Sequence, residues 1–131
     1  MKLRGILETC IYVDDLDAAK DFYSEVLGME FYSRAGNRHV FMVCGNRMFL
    51  IFNPEETSGE GDVPSHGATG PGHVAFDVPS DELEQWIEHL NKNGVEIEAD
   101  VKFGAGRSIY FRDPAGNSLE ISSPLIWGLD E

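Results

Sequence analysis

The chain has 131 residues, of which 42% are hydrophobic and 25% are charged, a composition typical of a single globular domain. Its 23 acidic and 10 basic residues give a formal net charge of −13. That charge would repel nucleic-acid phosphates, and no basic stripe offsets the repulsion. No apolar run approaches the roughly 18 residues of a membrane span. We therefore expect neither nucleic-acid binding nor membrane insertion.

The first residues, MKLRGILETC, contain neither a long apolar run nor the small-residue cleavage site of a signal peptide. We therefore expect a cytoplasmic location. In that compartment the two cysteines, Cys10 and Cys44, are expected to be reduced rather than bridged.

The two halves of the chain follow the same succession of elements. Residues 6–31 and 71–97 each indicate a strand, an acidic turn, a helix, a glycine and the start of a new strand. Residues 39–54 and 108–124 then each indicate two strands around a turn. The repeat predicts an α+β fold made of two βαβββ modules.

Each helix carries a start signal and an apolar stripe. Asp14 or Asp15 can cap the first helix, which Gly28 would end in a left-handed conformation. Ser80 or Asp81 can cap the second helix. The stripes that should face the sheets are Leu16, Ala19, Phe22, Tyr23 and Val26 in the first helix and Leu83, Trp86, Ile87 and Leu90 in the second.

The segment between the halves, EETSGEGDVPSHGATGPG, is rich in Gly, Ser, Pro and acidic residues and predicts a linker or an active-site loop. We expect a single domain over residues 1–131. Its parts would be module one at about 1–56, the loop at about 57–70, module two at about 71–124 and a C-terminal tail at 125–131. The tail is expected to pack across a dimer or to close a cleft.

Side chains of the first strand of each module alternate between two faces. The more apolar face should cover the helix, which leaves the other face for a different partner. If the two sheets face each other, these other faces line a cleft with Glu8, Cys10, Tyr12, His73, Ala75 and Asp77.

Three residues on different strands could together bind a metal. Glu8 and His73 hold matching positions, five residues before Val13 and Val78, and Glu120 lies on the more polar face of the last strand. Two carboxylates and one imidazole form a facial triad that holds a divalent metal and leaves sites open for substrate. The alternatives are a hydrogen-bonded or partly exposed histidine and two carboxylates on a solvated sheet face.

Four segments resemble the vicinal oxygen chelate superfamily, which includes glyoxalase I, fosfomycin-resistance proteins, bleomycin-resistance proteins and extradiol dioxygenases. They are YVDDLDAAKDFYSEVLGMEF, GNRMFLIF, GPGHVAFDV and YFRDPAGNSLEI. The resemblance implies two βαβββ modules that form an incomplete, cleft-containing barrel around a metal. It also implies a homodimer, as in most small members.

The resemblance further implies a ligand set. The family's first-strand ligand, usually His, matches Glu8, its second-module His matches His73, and its final Glu matches Glu120. Glu8 is either the third ligand or the general base beside the metal. The metal would be Mn, Fe, Zn or Ni. Glyoxalase I takes a fourth ligand from the fourth strand, where this chain has only MFLIF, and this difference counts against glyoxalase I.

Substrate contacts are expected from Cys10 and Tyr12, which face the predicted cleft, and from Tyr110, which resembles a cavity-lining aromatic of the fosfomycin-type enzymes. A core tyrosine is the alternative for Tyr110. The remaining candidates are expected to be peripheral, with His66 as an exposed loop histidine, His39 as a structural or rim residue, and Arg47 and Arg112 as surface ion-pair partners.

Two functions remain open from the sequence. The first is a glyoxalase- or dioxygenase-like metal-dependent enzyme, a lyase or a dioxygenase, that chelates a small oxygen-rich substrate through two oxygens. The second is a metal-free binding protein of the bleomycin-resistance type, for a drug or a metabolite. Its groove would be lined by Tyr12, Phe49, Phe52, Tyr110 and Trp127.

Overall fold

The computed structural model describes every residue from Met1 to Glu131. In chain order its strands and helices are β1 (Glu8–Tyr12), α1 (Leu16–Glu25), β2 (Glu30–Ala35), β3 (His39–Cys44), β4 (Arg47–Phe52), α2 (Pro54–Thr57), β5 (His73–Asp77), α3 (Leu83–Lys92), β6 (Ala99–Phe103), β7 (Gly106–Arg112) and β8 (Ser118–Ser122). Short 3₁₀ turns span Ser80–Glu82 and Pro124–Trp127. None of the helices combines the length and the apolar character needed to cross a membrane.

The chain divides into two compact units, unit 1 (Met1–Gly70) and unit 2 (Pro71–Glu131). Each contains one open, four-stranded mixed sheet. The strand order is β1-β4-β3-β2 in unit 1 and β5-β8-β7-β6 in unit 2, and the first two strands of each order run parallel. The predicted α+β class and the two βαβββ modules are confirmed.

Each unit has a core of its own between the sheet and the long helix. In unit 1 the alternate residues Val40, Met42, Phe49 and Ile51 are at most 1% exposed. They pack with α1, where the Tyr23 ring lies 4.9 Å from that of Phe49. In unit 2 the equivalent core consists of Val78, Leu83, Leu90, Ile109, Phe111, Leu119 and Ile121.

The helix starts were predicted correctly in unit 1 only. Asp15 caps α1 by accepting from the backbone N–H of Ala18 at 3.0 Å, and Gly28 follows with φ of +70°. In unit 2 the expected cap by Ser80 or Asp81 is wrong, because a 3₁₀ turn precedes α3 and no side chain caps it. Ser80 instead donates its backbone N–H and its hydroxyl to the Glu131 carboxylate, at 2.6 and 3.0 Å.

The segment between the modules is not entirely loop, since its first residues continue from Pro54 into the short helix α2, which Asn53 caps. The C-terminal segment packs on its own unit. A Cβ added to Gly106 at the start of β7 would lie 2.7 Å from the backbone nitrogen of Ile126. Glycine is therefore required where this segment crosses the sheet.

Candidate functional site

Two neighbouring strands of unit 2 carry a histidine and a glutamate on the same face. In the parallel pairing of β5 with β8, His73 lies opposite Ser118 and Ala75 lies opposite Glu120. His73 and Glu120 are therefore diagonal neighbours, within reach of each other across the two strands. β8 is an inner strand and β5 is an edge strand of this sheet, so Glu120 is buried while His73 stays accessible.

The geometry of this pair calls for a cation. His73 Nε2 lies 3.3 Å from Glu120 Oε2, and the two side chains are 52% and 7% exposed. His73 Nδ1 lies 2.9 Å from the carbonyl oxygen of Ser118. Because a carbonyl only accepts, Nδ1 carries the proton, and Nε2 of the neutral ring is an acceptor that faces a carboxylate oxygen. Either a second proton or a metal ion must lie between them.

A hydroxyl network holds the other oxygen of Glu120. Ser108 donates to Glu120 Oε1 at 2.5 Å, and Ser122 donates to the backbone carbonyl of Arg107 at 2.8 Å. Ser108 and Ser122 are both buried, and their hydroxyls lie 3.2 Å apart. The solvated sheet face considered for Glu120 is therefore wrong, since this carboxylate is 5% exposed and has a fixed orientation.

Tyr110 lies beside the His73–Glu120 pair. It lies opposite Glu120 in the pairing of β7 with β8, and its ring stacks beside that of His73 with centroids 6.4 Å apart. Burial, and then the negative charge of Glu120, raise the pKa of Tyr110. The phenol therefore stays protonated at neutral pH and remains a hydrogen-bond donor.

In unit 1 the equivalent face presents Glu8, Cys10 and Tyr12. Glu8 and Cys10 are exposed and Tyr12 is half-buried. Cys10 pairs with Leu50 as Ala75 pairs with Glu120, so the counterpart of Glu120 in unit 1 is Leu50. Unit 1 thus has a carboxylate where unit 2 has His73, and an apolar side chain where unit 2 has its carboxylate.

His66 is not the exposed loop histidine that was expected. It is half-buried, and its Nδ1 lies 2.6 Å from the hydroxyl of Tyr12. Burial, followed by the contact with Cys10, raises the pKa of Tyr12, so this hydroxyl carries a proton to donate. His66 also packs edge-on against Phe52, with centroids 4.7 Å apart.

His39 belongs to a ring cluster that the sequence analysis missed. Its imidazole stacks on the Phe41 ring, with the centroids 3.8 Å apart and an angle of 5° between the ring planes. Both rings are nearly perpendicular to the ring of Phe52. Arg38 lies over the Phe52 ring and donates to His39 Nδ1 at 2.6 Å. The period-two spacing of His39, Phe41 and the facing Phe52 could have indicated this cluster, because antiparallel neighbours with the same parity share a face.

Other sequence candidates lie away from the site. Phe49, expected in a groove, is 1% exposed and faces α1. Arg112 forms a bidentate surface ion pair with Glu98, as expected. Arg47 instead donates to the carbonyl of Asn46. Cys10 is exposed and Cys44 is half-buried, and both are free thiols.

The structure contains no group of three His, Cys, Asp or Glu side chains that could hold a metal ion. His73 and Glu120 alone are a two-ligand set. A metal at this pair needs at least one further protein or solvent ligand, since even tetrahedral zinc takes four.

The family assignment is decided by a match over residues 5–121 to the model of the Glyoxalase/Bleomycin resistance protein/Dioxygenase superfamily. The chain belongs to this superfamily. The match includes His73, Glu120 and Glu8, and the superfamily resemblance expected from the sequence is confirmed.

Members of the superfamily with related sequences include enzymes of more than one type. The structure of lactoylglutathione lyase from Agrobacterium tumefaciens is 36% identical, with a TM-score of 0.95 over 98% of this chain and 100% of that one. FosX, a fosfomycin resistance protein of Listeria monocytogenes, is 31% identical over 95% of this chain and 92% of its own length. Metallothiol transferase FosB of Staphylococcus epidermidis is 28% identical over 96% of this chain and 86% of its own length. A crystal structure of FosX, 23% identical to this chain with a TM-score of 0.69 over 92% of it and 90% of that chain, is a complex with Mn(II).

Proposed function

We propose that this protein is a metal-dependent enzyme that binds a divalent cation at His73 and Glu120, with Glu8 as the further protein ligand. The substrate is a small oxygen-rich molecule. The reaction is that of a glyoxalase- or dioxygenase-like lyase or dioxygenase; similar proteins include a lyase and a metallothiol transferase.

The observation that carries the proposal is the position of His73 Nε2, 3.3 Å from Glu120 Oε2, while Nδ1 lies on the Ser118 carbonyl. A histidine that donates Nδ1–H to a backbone carbonyl and offers Nε2 has the usual arrangement of a metal ligand. Ser108 likewise binds one oxygen of Glu120 and leaves the other for the cation. One imidazole and two carboxylates suit Mn²⁺, Fe²⁺, Zn²⁺ or Ni²⁺.

When bound, the metal would be chelated by two oxygens of the substrate and would stabilise negative charge that develops on them. The chain's own residues bind and orient the substrate. Tyr110 donates a hydrogen bond beside the pair, and Cys10 and Tyr12 contact the substrate from the face that carries Glu8. Glu8 takes the role of general base if it proves not to be a ligand.

We also propose that residues 1–131 act as one vicinal-oxygen-chelate domain and that the protein is a cytoplasmic homodimer with a small-molecule substrate and no nucleic-acid or membrane partner. The two free thiols support a reducing compartment. The net charge of −13 opposes binding to phosphate backbones.

Metal content tests this proposal directly. Untagged protein purified without chelator should contain about one divalent ion per chain by elemental mass spectrometry, and His73→Ala and Glu120→Gln should lose it. His89→Ala, on the surface helix α3, is the matched control and should keep it. A metal-free wild type that takes up neither Mn²⁺, Fe²⁺, Zn²⁺ nor Ni²⁺ would contradict the proposal.

A second candidate function is a metal-free binding protein for a drug or metabolite. The ring cluster of unit 1, formed by Tyr12, His39, Phe41, Phe52 and His66, favours it because stacked aromatic rings are typical of small-molecule pockets. Ligand affinity that is unchanged by His73→Ala and lost in Phe41→Ala would support this function over the enzyme.

A further inference from the structure

We propose that Asn117 is a positioning residue, which holds the peptide of Gly72 so that the imidazole of His73 keeps Nδ1 on the Ser118 carbonyl and Nε2 toward Glu120. The inference deepens the proposed metal site and rests on it. Asn117 acts on His73 through the peptide of Gly72, to which it is hydrogen-bonded.

The orientation of the Asn117 amide is fixed by the turn that precedes β8. Asp113 Oδ1 accepts from the backbone N–H groups of Ala115 and Asn117, at 3.0 and 2.9 Å. Asp113 Oδ2 accepts from Asn117 Nδ2 at 2.9 Å. Because a carboxylate only accepts, the amide nitrogen of Asn117 must face Asp113, and its oxygen must face the other way. Both side chains are at most 5% exposed.

That amide oxygen binds the residue immediately before His73. Asn117 Oδ1 accepts from the backbone N–H of Gly72 at 2.7 Å, and the Gly72 carbonyl accepts from the backbone N–H of Ser118 at 2.9 Å. Both polar groups of Gly72 are therefore bound from the same turn. A Cβ on Gly72 would lie 3.4 Å from Asn117 Oδ1, at the edge of ordinary van der Waals contact.

The hydrogen bonds to Gly72 matter because His73 lies at the start of an edge strand. It is the first residue of β5, an edge strand that pairs on one side only in this sheet. Strand ends fray unless they are tied down. Ser118 connects Gly72 with the His73 ring. Its N–H donates to the Gly72 carbonyl, and its own carbonyl accepts from His73 Nδ1 at 2.9 Å. Loss of the Asn117 bond removes one of the two hydrogen bonds that hold Gly72 and so loosens the backbone that orients the imidazole.

The test compares Asn117→Ala with Asn53→Ala. Asn53 is also a buried asparagine whose side chain holds backbone groups, but it lies in unit 1, so it controls for loss of stability. Two quantities are measured: the Mn²⁺ dissociation constant, and the tautomer of His73 in metal-free protein from the NMR shifts of its ring nitrogens. We expect Asn117→Ala to weaken Mn²⁺ binding by about 10–100-fold and to lose the pure Nδ1–H tautomer, and Asn53→Ala to change neither.

A reciprocal exchange gives a second test in case Asn117→Ala fails to fold. Asn117→Asp alone puts two carboxylates in contact and should impair both measurements. Asp113→Asn combined with Asn117→Asp reverses the direction of the bond between the two side chains and keeps a side-chain oxygen for each backbone N–H, and both measurements should return to wild-type values. An unchanged tautomer in Asn117→Ala, or no recovery in the exchanged pair, overturns the inference. A wild type that binds no Mn²⁺ but shows the expected tautomer changes contradicts the metal proposal and retains the positioning role of Asn117.

Discussion

Units 1 and 2 repeat one backbone but place opposite chemistry at matching positions. Leu50 of β4 and Glu120 of β8 occupy the same register position and are both buried, at 8% and 5% exposed. Phe41 lies opposite Leu50, and Tyr110 lies opposite Glu120. Around these positions unit 1 has aromatic rings and unit 2 has hydroxyls. The comparison indicates that the duplicated fold supplies two equivalent faces and that only unit 2 uses its face for the proposed metal pair.

The largest effect on metal binding is expected when the buried glutamate of unit 2 is replaced by the leucine that unit 1 has at the matching position. Glu120→Leu should abolish metal binding, measured by elemental analysis of the purified protein. Its free energy of unfolding should change little, because His73, the partner that remains, is 52% exposed and is solvated rather than left as a buried unpaired charge. Ser108 keeps a neighbour in Ser122 at 3.2 Å. Full metal occupancy in this variant would mean that Glu120 is not a ligand.

The matching change in unit 1 should have the opposite consequence. Leu50→Ala removes a buried side chain and should lower the free energy of unfolding by about 2–5 kcal/mol in denaturant titrations. Metal binding should persist, since Leu50 has no ligand atom. Loss of metal in a variant that remains folded would show that Leu50 is needed to shape the metal site.

The sequence predicted only part of this difference between the two units. Period-two alternation and the repeat were sufficient for the two βαβββ modules and for placing His73 and Glu120 on one face. Alternation also argued against grouping Phe49 with Phe52, which are three positions apart and therefore point to opposite faces. The helix-facing position of Phe49 was thus available from the sequence and was overlooked.

The supporting contacts of the site could not be predicted. Ser108 meets Glu120 only because β7 and β8 adopt a particular antiparallel register, and Asn117 meets Gly72 across 45 residues of sequence. Such pairings depend on tertiary contacts, which local periodicity does not encode. For the same reason the burial of Glu120 was missed, since exposure depends on what covers a strand.

The C-terminal segment packs on the sheet of unit 2. Gly106→Ala would place a Cβ 2.6 Å from Ile126 Cγ2 and 2.7 Å from its backbone nitrogen. We expect a loss of about 1–3 kcal/mol in the free energy of unfolding, the usual cost of overpacking. Gly59→Ala, where no atom lies within 4 Å of the new Cβ, is the control. Equal stability of the two variants would show that the segment is easily displaced.

Stability should respond to pH through the ring cluster of unit 1. Burial, and then the charge of Arg38, lower the pKa of His39 below its ordinary value of 6.5. Below that value the unfolded chain takes up a proton that the folded His39 resists, so stability is lost as pH falls from 6.5 through the folded pKa. His39→Phe keeps a ring on Phe41 and should flatten this part of the melting-temperature profile. An unchanged profile would assign the acid sensitivity to other groups.

The smallest effects are expected from a feature that the units share, an arginine that ties the long helix to the sheet. Arg34 of β2 pairs with Asp17 of α1, and Arg107 of β7 pairs with Glu84 of α3 and also with Asp100 of β6. These pairs are exposed and screened by solvent, so Arg107→Ala should cost at most about 1 kcal/mol. Arg34→Ala should cost less, because it breaks one ion pair rather than two.

Urea denaturation, which leaves charge screening unaltered, measures the free energy of unfolding of both variants. Added salt should narrow the difference between them. A larger loss from Arg34→Ala would mean that packing of the arginine side chain, rather than its charge, holds the helix in place.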